Sequence, residues 1–190
     1  GEVRVTARPT IFKKLRVSDN DNVGWGTIDL PEQEMHTTAC WLWLCQELSE
    51  SLGRAGVEAA LLGIRHLLPN VAALYLMCDP RDLGVTAEIK SPFTGAPTLY
   101  LYDRYPGGVG LTERLYQVYG EVLAAAAELV VQCDCQDGCP ACVGPPIAPG
   151  ASSKRATHEA LRGLGSVEPV AVALLPSSSG SQTEDGSGRT

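Results

Sequence analysis

Apolar residues recur along this chain in two rhythms, and the rhythms mark out its elements. In the first 17 residues, GEVRVTARPTIFKKLRV, Val3 and Val5, then Ile11, Leu15 and Val17, fall at even spacings. That alternation predicts one or two strands. A turn-rich stretch, SDNDNVGWGTIDLP, follows. Beyond Pro31, the residues Met35, Ala39, Leu42, Cys45, Leu48 and Leu52 recur at three- and four-residue steps until Gly53, the spacing of a helix of about five turns. Trp41 joins that stripe and Trp43 and Leu44 flank it, so the middle of this helix is expected to be buried.

A second helical pattern, Val57, Ala60, Leu61, Ile64 and Leu68, ends at Pro69. The short apolar run VAALYLMC (71–78) reads as a buried strand. VTAEI (85–89) and TLYLYD (98–103) flank KSPFTGAP, a connection that suits a hairpin. The loop YPGGVG then leads into Leu111, Leu115, Val118, Val122, Ala126 and Leu129, a single apolar face that predicts a long helix over about 111–131. After a Pro-rich joint, GPPIAPG, a weaker helical stretch runs from about Lys154 to Leu164, with Ser152 and Ser153 as candidate N-caps. From Pro176 the tail PSSSGSQTEDGSGRT is of low complexity and too polar to fold. These elements predict an α+β fold, a mainly antiparallel sheet packed with helices, as one domain over 1–175 with a disordered tail at 176–190.

Composition and charge narrow the setting. At 190 residues, 44% apolar and 19% charged, the chain has room for one good-sized core. A net charge of −7 and a pI near 4.9 argue against broad attraction to phosphate or to an anionic membrane, so any nucleic acid contact must be local. No uninterrupted apolar run reaches the roughly 18 residues of a membrane span, and no signal peptide opens the chain. The expectation is a cytoplasmic protein without a membrane partner. Gly1 stands where an initiating Met would be, which suggests a piece of a larger polypeptide.

The densest chemistry lies at CDCQDGCPACV, where Cys133, Cys135, Cys139 and Cys142 are spaced C-x-C-x3-C-x2-C. Tetrahedral Zn²⁺ takes four thiolates at about 2.3 Å, and a two-residue gap in a tight turn supplies one pair from a single knuckle. Gly138 and Pro140 around Cys139 supply that turn, while Cys133 and Cys135 leave the last turn of the long helix. Four sulfurs leave no open position, so the site is expected to be structural. Two alternatives compete. A C-x-C disulfide is strained and out of place in a reducing compartment, and the order of gaps does not match the common ferredoxin spacings. Cys40, Cys45 and Cys78 read as small core residues.

Other candidates are weaker. Asp79, Asp82 and Asp103 stand at strand ends, where carboxylates can converge on Mg²⁺ for hydrolysis; Asp beside Pro or Gly is also ordinary turn chemistry. The glycines of PGGVGLTER lack the Lys of a Walker loop. They let the chain turn into the long helix, whose first N–H groups are free to take a partner's phosphate. His36, His66 and His158 read as structural or surface residues, and no catalytic residue is assigned. Arg4, Arg8, Lys13, Lys14 and Arg16 cluster in the N-terminal segment. They suit either a nucleic acid backbone or the charged face of an edge strand.

Taken in order, LPEQEMHTTACWLWL, a helix ending in LLP, CDPRDLG, PTLYLYDRYPGGVGLTER and CDCQDGCPACVGPP resemble the C-terminal zinc-binding domain of MrfA/YprA-type superfamily-two DNA helicases, with Hrq-type RecQ-like helicases and SftH as relatives. The likeness runs from about residue 3 to 147. It implies that Cys133, Cys135, Cys139 and Cys142 hold one structural Zn²⁺. It further implies an accessory domain of an ATP-dependent 3′–5′ helicase acting in DNA repair, with RecA-like motor domains of the same polypeptide and single-stranded DNA as partners, near the nucleoid of a bacterium. ATP and Mg²⁺ would belong to those motor domains, since this chain holds no Walker A lysine, DExH box or arginine finger. A metal-dependent nuclease using Asp79, Asp82 and Asp103, or a pure protein-interaction module, are the alternatives.

Overall fold

The computed structural model describes residues 1–145 and 153–165. Along the chain come β1 (Glu2–Ala7), β2 (Ile11–Leu15), β3 (Asn22–Thr27), β4 (Gln33–Trp43), α1 (Gln46–Leu76), a 3₁₀ turn (Pro80–Asp82), β5 (Leu83–Glu88), β6 (Thr98–Asp103), α2 (Leu111–Gln132) and α3 (Ser153–Gly165). Four strands form a sheet in the order β1-β4-β6-β5, and β2 and β3 form a separate hairpin. Every pairing is antiparallel, so the expected α+β class holds. The predicted tail, Ser152 and most of the Pro-rich joint lie outside the described residues, and Ser153 is the first residue of α3.

Two expected elements exchange type. Residues 35–43, predicted as helix, form β4. Met35, Ala39 and Leu42 sit at helical steps, but the buried positions alternate, and one of them is Thr37. Its hydroxyl donates to the carbonyls of Asp103 and Tyr105 at 2.8 and 2.9 Å. A polar residue in the core-facing row hid the period of two, while the β-branched and aromatic content of HTTACWLW favours the pleated surface. Cys40 therefore lies on a strand, and Cys45 is an exposed N-cap of α1.

The second exchange is at 71–78, where residues 71–76 end α1, with Met77 as its C-cap, rather than forming a strand. Pro69 lies inside the helix. It removes one N–H donor, yet Leu67, Leu68, Val71, Ala72 and Ala73 are all buried around it. Burial of that face carries the helix through. The predicted break at Gly53 is real: its φ of 64° and ψ of 170° divide α1 into two helical pieces. Joined across Pro69, α1 is long and apolar enough to cross a membrane on length and composition, although half of that window is buried here. Its buried face is the centre of the core.

Leu99 and Leu101 of β6 and Leu83 of β5 face Ile64, Leu67 and Leu68 of α1 and Leu115, Val122 and Leu123 of α2 in one cluster. Helix α3 packs against both α1 and α2. A Cβ at Gly63 would lie 2.0 Å from the Thr157 hydroxyl oxygen, so α3 and α1 approach at a position only glycine permits. The hairpin differs. Among the described residues β2 and β3 have each other as their only substantial packing partner, and Ile11, Leu15, Val23 and Trp25 stay about half exposed or more.

Candidate metal centre

Helix α2 delivers the first two sulfurs. Cys133 caps it, its N–H donating to the Leu129 carbonyl, and its φ of −72° and ψ of 128° turn the chain outward. The second pair comes from a knuckle closed by N–H donors of Cys142 and Gly144 on the Cys139 carbonyl, both at 3.0 Å. Gly138 has a φ of 132°, and a Cβ there would meet the Gly144 carbonyl oxygen at 2.6 Å. Glycine is required where the two legs of the knuckle touch.

The four Sγ atoms lie within 4.8 Å of one another. Neighbouring separations are 3.5 Å for Cys133–Cys135, 3.5 Å for Cys133–Cys139, 3.4 Å for Cys135–Cys142 and 3.6 Å for Cys139–Cys142. All four cysteines are free, and no pair is at bonding distance. Four thiolates at about 2.3 Å from one tetrahedral ion would stand about 3.8 Å apart, so the quartet is close to the size of a Zn²⁺ shell. An iron–sulfur cluster spreads its thiolates over several irons, farther apart than this. The donor set fits zinc.

Metal-free, the four thiols at this separation ionise unequally. Desolvation first, then hydrogen bonds with the other three cysteines, push the Cys135 thiol up to about 12. The Ala141 backbone N–H, then Cys133 and Cys142, draw the Cys139 thiol down to about 7. A divalent cation removes that inequality by favouring all four thiolates together.

Two flanking residues hold this site: His66, expected only as a structural or surface residue, and Lys154, expected only as the start of the last helix. His66 of α1 places Nε2 2.8 Å from the Pro140 carbonyl and so fastens the knuckle to the core helix. Lys154 of α3 donates through Nζ to the Cys133 carbonyl and, at 2.7 Å, to the Cys135 carbonyl. Neither is near the cysteines in sequence, so only the packing of α1 and α3 brings them there. Cys78 packs on the core and stands outside the quartet.

The carboxylates are spent on structure. Asp103 is wholly buried, and its two oxygens accept from the N–H groups of Val109, Leu111 and Thr112 at 2.7, 3.2 and 3.0 Å. The free N–H groups expected at the start of α2 are thus already occupied by this carboxylate. Positive φ at Gly107, Gly108 and Gly110 lets the loop fold back to it. Asp79 caps the 3₁₀ turn and pairs with Arg81 at 2.8 Å; hydrogen bonds from Arg81 hold its carboxyl down at about 2. Asp82 accepts from the Tyr105 hydroxyl at 2.7 Å. Among the described residues the cysteine quartet is the one group of three or more His, Cys, Asp or Glu side chains close enough to share a metal.

The basic residues divide. Arg4 on edge strand β1 pairs with Glu34 at 3.8 Å, Arg8 with Asp29 and Glu32 at 3.3 and 3.4 Å, and Arg16 with Asp19 at 2.9 Å. Lys13 and Lys14 instead lie over the rings of Trp25 and Phe12, 5.6 and 5.7 Å from their centroids.

A tetracysteine zinc-binding domain is the class that this quartet and its mixed fold define. Residues 64–143, from mid-α1 to just past Cys142, match the model of the MrfA Zn-binding domain family. The protein called "Uncharacterized ATP-dependent helicase YprA" of Bacillus subtilis (strain 168) is 44% identical over 147 residues, 77% of this chain and 20% of its own length. "Uncharacterized protein MJ1572.1" of Methanocaldococcus jannaschii is 29% identical over 83 residues, 42% of this chain and 74% of its own. The crystal structure of the DUF1998 helicase MrfA bound to DNA superposes with a TM-score of 0.66 at 40% identity, over 85% of this chain and 22% of that one. MrfA bound to DNA and AMPPNP gives 0.58 at 40% identity, over 82% and 20%. Residues 64–143 thus match the MrfA Zn-binding domain family, and the chain is similar to helicases of the MrfA/YprA type. It spans about one fifth of the length of the helicase relatives it matches.

Proposed function

We propose that this chain is the zinc-stapled accessory domain of an ATP-dependent 3′–5′ superfamily-two DNA helicase, supporting single-stranded DNA engagement and its coupling to RecA-like motor domains in DNA repair in the cytoplasm. The observation that carries this is the compact sulfur quartet at the end of α2, in a fold shared with a helicase solved on DNA. In this role the metal does no chemistry. It fixes the helix end and the knuckle so that a motor has a rigid body to work against.

The hairpin supports a direct DNA contact. Residues 1–17 hold five basic residues and one acidic residue in a chain of net charge −7, and Lys13 and Lys14 lie beside exposed aromatic rings. Cations interleaved with rings are the general means of holding single strands without reading sequence. The test is anisotropy of a labelled single-stranded oligonucleotide with the full chain across a salt series. Binding that weakens with salt and is lost in Lys13→Glu/Lys14→Glu/Arg16→Glu is expected. No binding at low salt, or an indifferent triple variant, would leave the protein-interaction alternative in its place.

A further inference from the structure

Helix α3 lies beyond the 64–143 span of the family match, yet it reaches into the metal centre. We propose that Lys154 makes α3 a working wall of that centre: its ammonium, bonded to the carbonyls of Cys133 and Cys135, offsets the charge of the sulfur quartet and links metal retention to the seating of α3.

The local charge is the first ground. A divalent ion with four thiolates carries a net charge of two minus. The segment around it, CDCQDGCPACVGP, adds Asp134 and Asp137 and contains no Lys, Arg or His. The end of α2 is itself the negative pole of a helix, and its last turn contains no basic residue. Everything nearby in sequence is therefore negative. The cation that hydrogen-bonds into the site arrives from another element, 19 and 21 residues away along the chain.

The second ground is how Lys154 and α3 are held. Lys154 is tied at both ends, since its backbone N–H also donates to the Asp137 carbonyl at 3.2 Å. The rest of α3 is seated by shape: Ala156, Thr157, Ala160, Leu161 and Leu164 are buried, and Thr157 fits over Gly63. Among the described residues the buried Thr157 hydroxyl has no hydrogen-bond partner; Lys154 ties the N-terminal end of the helix to the cysteine loop, and Glu159 further along accepts from the Ser51 hydroxyl of α1 at 3.2 Å. If metal holds the carbonyls where Lys154 finds them, seated α3 must hold the metal in return, because coupling between two binding events is reciprocal.

This inference rests on the zinc assignment, and its test separates the two. The full chain, loaded with zinc, is compared with Lys154→Met and Lys154→Arg for metal transfer to a chromogenic chelator. Release at least fivefold faster from the Met variant, and close to parental from the Arg variant, is expected. Cobalt substituted for zinc should show sulfur-to-metal charge-transfer bands displaced in the Met variant and restored in the Arg variant. A lower melting temperature with unchanged release and unchanged bands would reduce Lys154 to a cap on α2 and overturn the proposal. Hydrogen exchange needs no variant: on metal removal from the parent, residues 153–165 should lose protection before the β4–β6 pairing does. Continued protection of α3 in the metal-free chain would also overturn it, whereas a parent that binds no zinc at all would fail the zinc assignment itself.

Discussion

The knuckle at residues 133–144 and the hairpin at residues 11–27 are both short, and neither has the apolar content to build a core of its own. The knuckle is pinned from four directions: by its sulfur quartet, by Val143 and Cys142 in the core cluster, by His66 from α1 and by Lys154 from α3. The hairpin has its own ladder and two lysine–ring contacts, and its apolar side chains face outward. An isolated two-stranded hairpin is marginal in water, and an exposed apolar group of this kind marks a contact surface. The same shortage of core is met in one place by a metal and in the other by a surface left open for a partner. Perturbing the first should therefore cost stability, and perturbing the second should cost binding.

The largest effect is expected from Cys139→Ser. Structural zinc contributes on the order of 10 kcal/mol to small sites, and loss of one thiolate should leave a chain that aggregates or melts without a cooperative transition. Prolonged chelation of the parent should give the same circular-dichroism melt. A Cys139→Ser variant that melts like the parent would mean that packing alone holds the knuckle, and the contrast with the hairpin would collapse.

Asp103→Ala comes next. It strips three backbone N–H groups of a buried charged acceptor, and hydrogen bonds to charged groups contribute about 1.5–3 kcal/mol each. Because the three share one carboxylate, a net loss of about 3 kcal/mol is expected in urea titration, with zinc stoichiometry unchanged. A smaller loss, about 1–3 kcal/mol, should follow Gly63→Ala, whose new methyl meets Thr157. Adding Thr157→Ala should recover part of it, and a double-mutant cycle without coupling would show that α3 is not seated there.

Those predictions also show how much the sequence disclosed. The clustering of the quartet was legible because all four cysteines fall within ten residues. The β5–β6 hairpin and α2 were legible because an uninterrupted period marks each. β4 was not, because buried Thr37 breaks its apolar alternation, and the end of α1 was not, because Pro69 is a stop signal that tertiary burial overrides. The turn-rich stretch also concealed β3, whose Gly24 and Gly26 look like turn residues; Phe12 lies across Gly26, where a Cβ would come within 2.5 Å of its ring. His66 and Lys154 left no local signal, since what places them is the packing of helices distant in sequence. Asp103 was open to two readings because a strand-end Asp before a glycine loop reads the same whether it faces a metal or the first N–H groups of the next helix.

The smallest expected change in stability belongs to the hairpin, and it is the most informative for function. Lys13 and Lys14 are exposed, and among the described residues no carboxylate forms an ion pair with either. Reversing both to Glu should alter stability by less than about 0.5 kcal/mol, as surface substitutions do. If the two lysines each meet a phosphate of a single strand, the salt slope of binding should shrink by roughly 0.7 per lysine, with affinity at low salt falling tenfold or more. Trp25→Ala should weaken binding without changing that slope, because stacking releases no counterion. Arg8→Ala should do less than either, since its guanidinium already sits between Asp29 and Glu32. An equal loss from Arg8 and from the lysines would put the contact on the whole basic segment rather than on the ring-backed face of the hairpin.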